Sequence, residues 1–235
     1  MKHKYFYSIF GILFTIVLLL SSVEYIAFNR NHYANSFEKY GITTATGMDA
    51  NNLEYVMEDL LSYLKDQKDT LDTVAVVHAE EREVFGERER LHMIDVKDLF
   101  IKGRLLRNSG LAALTILFFG MIMKDPHWKI NLAKTLFYAA IGNLMLLGAF
   151  LLLLYMDFNK YFTYFHLIFF DNDLWILDPQ TEILIQMVPE GFFYDTSIRI
   201  IGLFIGCIIT SGSLGYLFKK SKPESKHIMI KAYND

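Results

Sequence analysis

The chain holds a single cysteine among 235 residues. Cys207 falls inside an apolar run, so an internal disulfide and a cysteine-built metal site are both excluded. Gly-x-Ser-x-Gly, P-loop and Rossmann glycine patterns are absent, and so are His-x-x-x-His and His-Glu-x-x-His spacings. The remaining metal reading is two histidines with Asp95, Asp171 or Asp173, a set spread widely through the sequence. No metal and no cofactor is therefore expected. Charge of one sign is also lacking: the formal net charge is -3, so nucleic acid is not an expected partner. There is no internal repeat and no low-complexity tract.

What is present is long apolar sequence. Four blocks stand out: Tyr5 to Val23, Ser109 to Met123, Ile130 to Met156 and Ile198 to Phe218. A helix needs roughly 20 apolar residues to cross the hydrocarbon. Three blocks reach that length alone; the second must borrow Leu105 and Leu106 or thin the bilayer. The fold class is a mainly α membrane protein, four transmembrane helices carrying a small α+β cap. The boundaries read as 1–28 for the first helix, 29–104 for a cap segment and 105–123 for the second helix. Then come 130–156 for the third, 157–196 for a second cap segment, 197–218 for the fourth and 219–235 for a tail. Gly202-x-x-x-Gly206 in the last helix suits close helix packing.

The first block, behind Lys2, His3 and Lys4, has the look of a signal peptide. Ser21-Ser22-Val23-Glu24-Tyr25 offers no small-x-small cleavage site, however, so a retained helix is expected. Lys2, Lys4, Lys124, Lys129, Lys219, Lys220, Lys222, Lys226 and Lys231 fall on one side, which the positive-inside rule makes cytoplasmic. The cap is then extracellular. Lys97, Lys102, Arg104 and Arg107 oppose this, and lipid phosphates are their expected counter-charges.

Within the cap, Leu53, Val56, Met57, Leu60, Leu61 and Leu64 recur at helical spacing over 49–65, with Asp49 as N-cap. Residues 73–77 have strand character, and the mixed charges of 80–90 suggest a solvated helix or turn. A helix starting near Asp95 should run into the second span despite Gly103. Around Asp178-Pro179-Gln180-Thr181, good type I turn chemistry, residues 174–177 and 182–185 are expected to pair as a hairpin.

Among seven histidines, His3, His127 and His227 look peripheral, and His32 and His78 carry no supporting pattern. His92 and His166 fall where the cap meets the outer membrane edge. An imidazole there is costly without a partner, so it marks a functional site; the alternative for His166 is a hydrogen-bonded core ring. Asp95 stands one helical turn after His92, placed either to orient it or to serve the helix dipole. The aromatics around His166, from Tyr155 to Trp175, form an interfacial belt, and they are also suited to line a dry acyl pocket.

The motifs Glu87-Arg88-Glu89-x-x-His92-Met93-x-Asp95-Val96-Lys97-x-Leu99 and Phe165-His166-x-x-Phe169-x-x-Asn172-Asp173-x-Trp175-x-Leu177 go together with Leu184-Ile185-x-Met187-x-Pro189-Glu190-x-Phe192-Phe193. With the helix order, they resemble the lipoprotein intramolecular transacylase family, Lit. The resemblance implies an enzyme of the bacterial plasma membrane that needs no cofactor. Its substrate would be a diacylglyceryl lipoprotein with a free N-terminal cysteine. The sn-2 acyl chain would move to that cysteine's α-amine, leaving the lyso form. It implies catalytic roles for His92 and His166, with acid and base unassigned. Asp95, Asp171, Asn172 and Asp173 would support them, and Tyr164, Phe165, Phe169 and Trp175 would shape the chamber. The expected surroundings are membrane lipid and a monomeric enzyme. Two other readings stand beside it: a membrane sensor whose cap binds a ligand, and a metal-dependent hydrolase.

Overall fold

The structure, a computed structural model, describes residues 2–220. His227 and the lysines at 222, 226 and 231 lie outside the described residues, as do the side chains of Lys2 and His3. In chain order the elements are α1 (Lys2–Ala27), α2 (Arg30–Lys39), α3 (Ile42–Thr46), α4 (Ala50–Leu64), β1 (Val74–Val77) and β2 (Glu80–Glu83). They continue with α5 (Glu87–Lys124), α6 (Trp128–Met156), α7 (Phe158–Phe169), α8 (Ile183–Met187) and α9 (Glu190–Lys220).

Among the described residues α1, α5, α6 and α9 are long and apolar enough to cross a membrane. Their outer faces carry exposed Ile116, Met145 and Leu146, side chains that hydrocarbon accepts and water does not. At about 1.5 Å per residue, the 38-residue α5 is about 57 Å long, nearly twice the hydrocarbon thickness of about 30 Å. Its apolar stretch, 109–123, forms the C-terminal part. The charged half before it packs on the cap core through Met93, Val96 and Phe100. The helix passes through Gly103 without a break.

Helix packing does not use the expected glycines. A Cβ at Gly202 or Gly206 would meet nothing within 4 Å. At Gly212 it would lie 2.5 Å from Ala140 Cβ, and at Gly215 2.5 Å from the Ala133 carbonyl oxygen. At these two glycines α9 lies directly against α6. The lysine-rich end is tied by Asp125, which accepts from Tyr7 (2.6 Å) and Asn131 (2.8 Å).

The cap core gathers Leu53, Val56, Leu60, Phe85, Ile183 and Met187. α4 follows the expected periodicity, and Asp49 caps it by accepting from the Asn52 N–H at 2.8 Å. Lys97, Lys102, Arg104 and Arg107, expected to meet lipid phosphates, each have a protein partner. Arg104 donates to the carbonyls of Leu64 (2.8 Å) and Lys65 (2.9 Å), closing the end of α4. Both arginines pair with Glu24 of α1. Lys97 pairs with Asp66, and Lys102 with Asp98.

The β-hairpin lies elsewhere than expected. β1 pairs antiparallel with β2, Val74 opposite Glu83 and Val77 opposite Glu80. The turn is made by His78 and Ala79, both at positive φ (52° and 66°), the type I′ arrangement that suits a tight hairpin. All four β2 residues are exposed, so backbone pairing alone makes that strand. The hairpin expected over 174–185 does not form. Its turn is present, with the Thr181 N–H donating to the Asp178 carbonyl at 3.2 Å. The arms differ: Ile183, Leu184 and Met187 bury one face as the helix α8, and residues 174–177 form no strand.

Candidate active site

On α5, residues 88, 92 and 95 follow i, i+4, i+7 spacing and share one helix face. Arg88, His92 and Asp95 therefore point together, toward α7 and the loop that follows it. α7 is amphipathic: Tyr164, Leu167, Ile168 and Phe169 are exposed, and His166 is buried at 7% exposure.

The two imidazoles meet with ring centroids 6.3 Å apart and planes inclined by 35°. His166 Nδ1 lies 2.7 Å from the Phe162 carbonyl oxygen. A carbonyl only accepts, so Nδ1 donates, and in the neutral ring Nε2 keeps its lone pair. His92 is 8% exposed, and its Nδ1 is sealed with no hydrogen-bond partner among the described residues. Burial pushes His92 down to about 4, helped by the neighbouring His166 and opposed by Asp95. Burial also lowers His166 from the usual imidazole value, against the Phe162 carbonyl. Both rings are neutral near pH 7.

Aromatic rings enclose the pair. Trp175 stacks on His166 at 4.6 Å and 24°, and Phe170 meets the His92 ring edge-on at 5.4 Å. Phe162 and Phe165 contact His166 at 4.5 and 5.5 Å. Of the expected chamber residues, Phe165 and Trp175 contact the His166 ring. Tyr164 and Phe169 are turned outward, with ring contacts to Tyr161 and Phe165 instead of either histidine.

Asp95 does not hold His92 through a ring nitrogen, as expected from its spacing. Its carboxylate accepts from Asn172 Nδ2 at 2.8 Å. The Asn172 carbonyl in turn accepts from Trp175 Nε1 at 3.0 Å. Asp95 thus supports the indole behind His166. Asp173 is drawn to Arg88 by an ion pair of 3.5 Å. Asp171 is exposed and has no partner among the described residues. No three His, Cys, Asp or Glu side chains among the described residues form a metal-sized cluster.

Two residues of α5 were missed by the sequence reasoning as site components. Arg88 reaches the loop, as described below. Glu89, 2% exposed, accepts from the N–H groups of Gly86 (2.5 Å) and Leu184 (2.6 Å), fastening α5 to α8. Burial raises its carboxyl against those two donors. For Arg88 the available signal was the 88-92-95 spacing itself. Elsewhere, buried His32 donates through Nε2 to Thr196 (2.7 Å), whose hydroxyl donates to Phe192, and stacks on that ring. It belongs to the cap core.

Over residues 8–193 the chain matches the family described as lipoprotein intramolecular transacylase Lit. No curated protein matches it. It is similar in fold to the membrane integral lipoprotein intramolecular transacylase Lit from Bacillus cereus. One structure of that protein aligns with a TM-score of 0.75 at 19% identity, covering 93% of this chain and 96% of that one. Two more carry a histidine replaced, by arginine in one and alanine in the other. Both have a TM-score of 0.71, at 18% and 19% identity, covering 100% and 93% of this chain and 95% and 94% of theirs.

Proposed function

This chain belongs to the lipoprotein intramolecular transacylase Lit family, and from that premise we propose that His92 and His166 are its acid–base pair. It is a membrane-integral acyltransferase acting on a lipoprotein. The acyl chain at the glyceryl sn-2 oxygen moves to the α-amine of the N-terminal cysteine. That amine has a pKa near 8, so it is largely protonated at neutral pH and must lose a proton to attack.

His166 is the base. Its Nδ1–H is committed to the Phe162 carbonyl, which leaves the Nε2 lone pair to take the amine proton. The freed nitrogen attacks the ester carbonyl carbon, forming the C–N bond. His92 stands across from it and stabilises the charge that develops on oxygen. The nitrogen, now bonded to carbon, gives a second proton to an imidazole, which passes it to the sn-2 oxygen as the C–O bond breaks; the proton first taken from the ammonium is released to solvent. Amine and ester belong to one molecule, so holding the folded conformation is most of the catalytic task. The aromatic wall of Phe162, Phe165, Phe170 and Trp175 excludes water and so disfavours hydrolysis.

The observation that carries this reading is the facing pair, with one ring held in a single tautomer. Asp95, Asn172 and Trp175 support His166. The cap faces outward and the termini inward, a reading supported by Lys124, Lys129, Lys219 and Lys220 at the end opposite the cap. The enzyme works as a monomer surrounded by membrane lipid.

Mass spectrometry of a lipoprotein's N-terminal lipopeptide tests the reaction, with the protein expressed in a diacyl-forming host with and without this chain. Intact mass should stay constant while fragmentation moves one acyl group from glycerol to nitrogen. An unchanged diacylglyceryl peptide, with the enzyme folded and present, would overturn the reading.

A further inference from the structure

Arg88 shares the helix face of His92, yet the reaction above gives it no part. Its Nε donates to the Ile176 carbonyl at 3.2 Å, and its Nη2 donates to the Asp173 carbonyl. The same guanidinium lies 3.5 Å from an Asp173 carboxylate oxygen. Between those two carbonyls sits Trp175, whose indole covers one face of His166. On the other side, Asp95 holds Asn172.

This loop has no helix or strand ladder to define it. Fixing a residue's backbone costs roughly 1–2 kcal/mol in entropy, so an irregular loop keeps one shape only where something ties it. A planar guanidinium with forked donors ties two carbonyls at once, which a lysine ammonium on its flexible stem does not reproduce. Arg88, His92 and Asp95 ride on one rigid helix. The helix that carries the first imidazole therefore also sets the wall behind the second.

We propose that Arg88 is a positioning residue: by clasping the carbonyls of Asp173 and Ile176 it presses Trp175 against His166 and fixes the aim of Nε2 toward His92. This rests on the reading of His166 as the base. Misplacement of a catalytic group by about 1 Å costs about 10²-fold in rate. Loss of Arg88 should therefore lower kcat by that order and leave KM within about twofold.

The chain has two tryptophans, so a Trp128→Phe background leaves Trp175 as the sole indole. A protonated imidazole stacked on indole quenches its emission, so Trp175 fluorescence against pH reads both the stack and the His166 proton. In that background, Arg88→Gln and Arg88→Lys should each lose the acid quenching, shift the emission to the red and show the kcat deficit. Trp175→Ala should show the same deficit, and adding Arg88→Gln to it should cost nothing further. Lost activity with unchanged emission and quenching, wild-type activity, or additive losses in the double variant would overturn the proposal. The underlying reading is separated by His166→Ala. If that variant stays active the base assignment falls; if it is inactive while the Arg88 variants match wild type, only the role of Arg88 falls.

Discussion

His166 gives its Nδ1 proton to the carbonyl of Phe162, one turn back on its own helix, at 2.7 Å. That contact makes the two imidazoles unequal, because Nε2 of His166 has only acceptor character in the neutral ring. Glutamine substitutions expose the difference. A glutamine at position 92 still offers an N–H to a developing oxyanion, and transfer should fall by about 10-fold to 10²-fold. At position 166 a glutamine cannot accept a proton, and the loss should reach about 10²–10⁴-fold. Rates of lipopeptide conversion followed by mass spectrometry measure both, and the reverse order would move the base to His92.

Acid should affect rate and stability in different windows. Burial holds His166 below 6.5 and His92 down to about 4, so both gain their proton only below the ordinary imidazole value. The acidic limb of kcat/KM should then follow the substrate amine, near 8, without a step at the ordinary imidazole value. Stability follows the sign of a depressed folded pKa. Below about 6.5 the unfolded histidines bind protons that the folded ones refuse, so stability is lost as pH falls from 6.5 toward 4. Melting temperature should therefore fall as pH is lowered across that window, and a flat curve would contradict the burial of the pair.

The sequence was informative where one physical cause dominates. Four apolar blocks, the 53-to-64 stripe of α4 and the Asp49 cap were all legible, because hydrocarbon length and helical periodicity act locally. The hairpin was misplaced for the opposite reason. β2 buries no side chain, so nothing in Glu80–Glu83 announces a strand. The arm at 174–177 is apolar enough for a strand, but Arg88, from 85 and 88 positions away, takes the carbonyl of Asp173 just before it and that of Ile176 within it. The hydrogen bond of Asp95 was hidden on the same ground. Adjacency on the helix suggested His92, and only the tertiary fold brings Asn172 to its carboxylate.

The glycines of the last span give a packing test. Gly202 and Gly206 have open space where a Cβ would go, whereas Gly212 and Gly215 are pressed on α6. Gly202→Ala and Gly206→Ala should leave thermal stability in detergent within about 0.5 kcal/mol of wild type. Gly212→Leu and Gly215→Val must push α9 off α6 and should cost about 1–3 kcal/mol. If Gly206→Ala proved the more damaging, the α6–α9 contact would have to lie elsewhere along the helix.

Glu89 offers the sharpest separation of folding from chemistry. It lies three residues from His92, but its two oxygens accept from the backbone of Gly86 and of Leu184, 95 positions apart in sequence for the latter. Its burial raises the carboxyl, the sign that also appears in a catalytic acid, so the structural and catalytic readings must be told apart by experiment. Glu89→Ala strands two N–H groups, at about 1–3 kcal/mol each where they are buried, and frees α8 from α5. Glu89→Gln keeps one acceptor oxygen and the side-chain length, so it should retain more stability than alanine. A structural Glu89 predicts that activity in these variants tracks the folded fraction and recovers on cooling, with the pH profile of kcat/KM unmoved. A folded Glu89→Gln enzyme with an altered pH profile would instead place this carboxyl in the proton transfer, and the two-histidine account would need a third member.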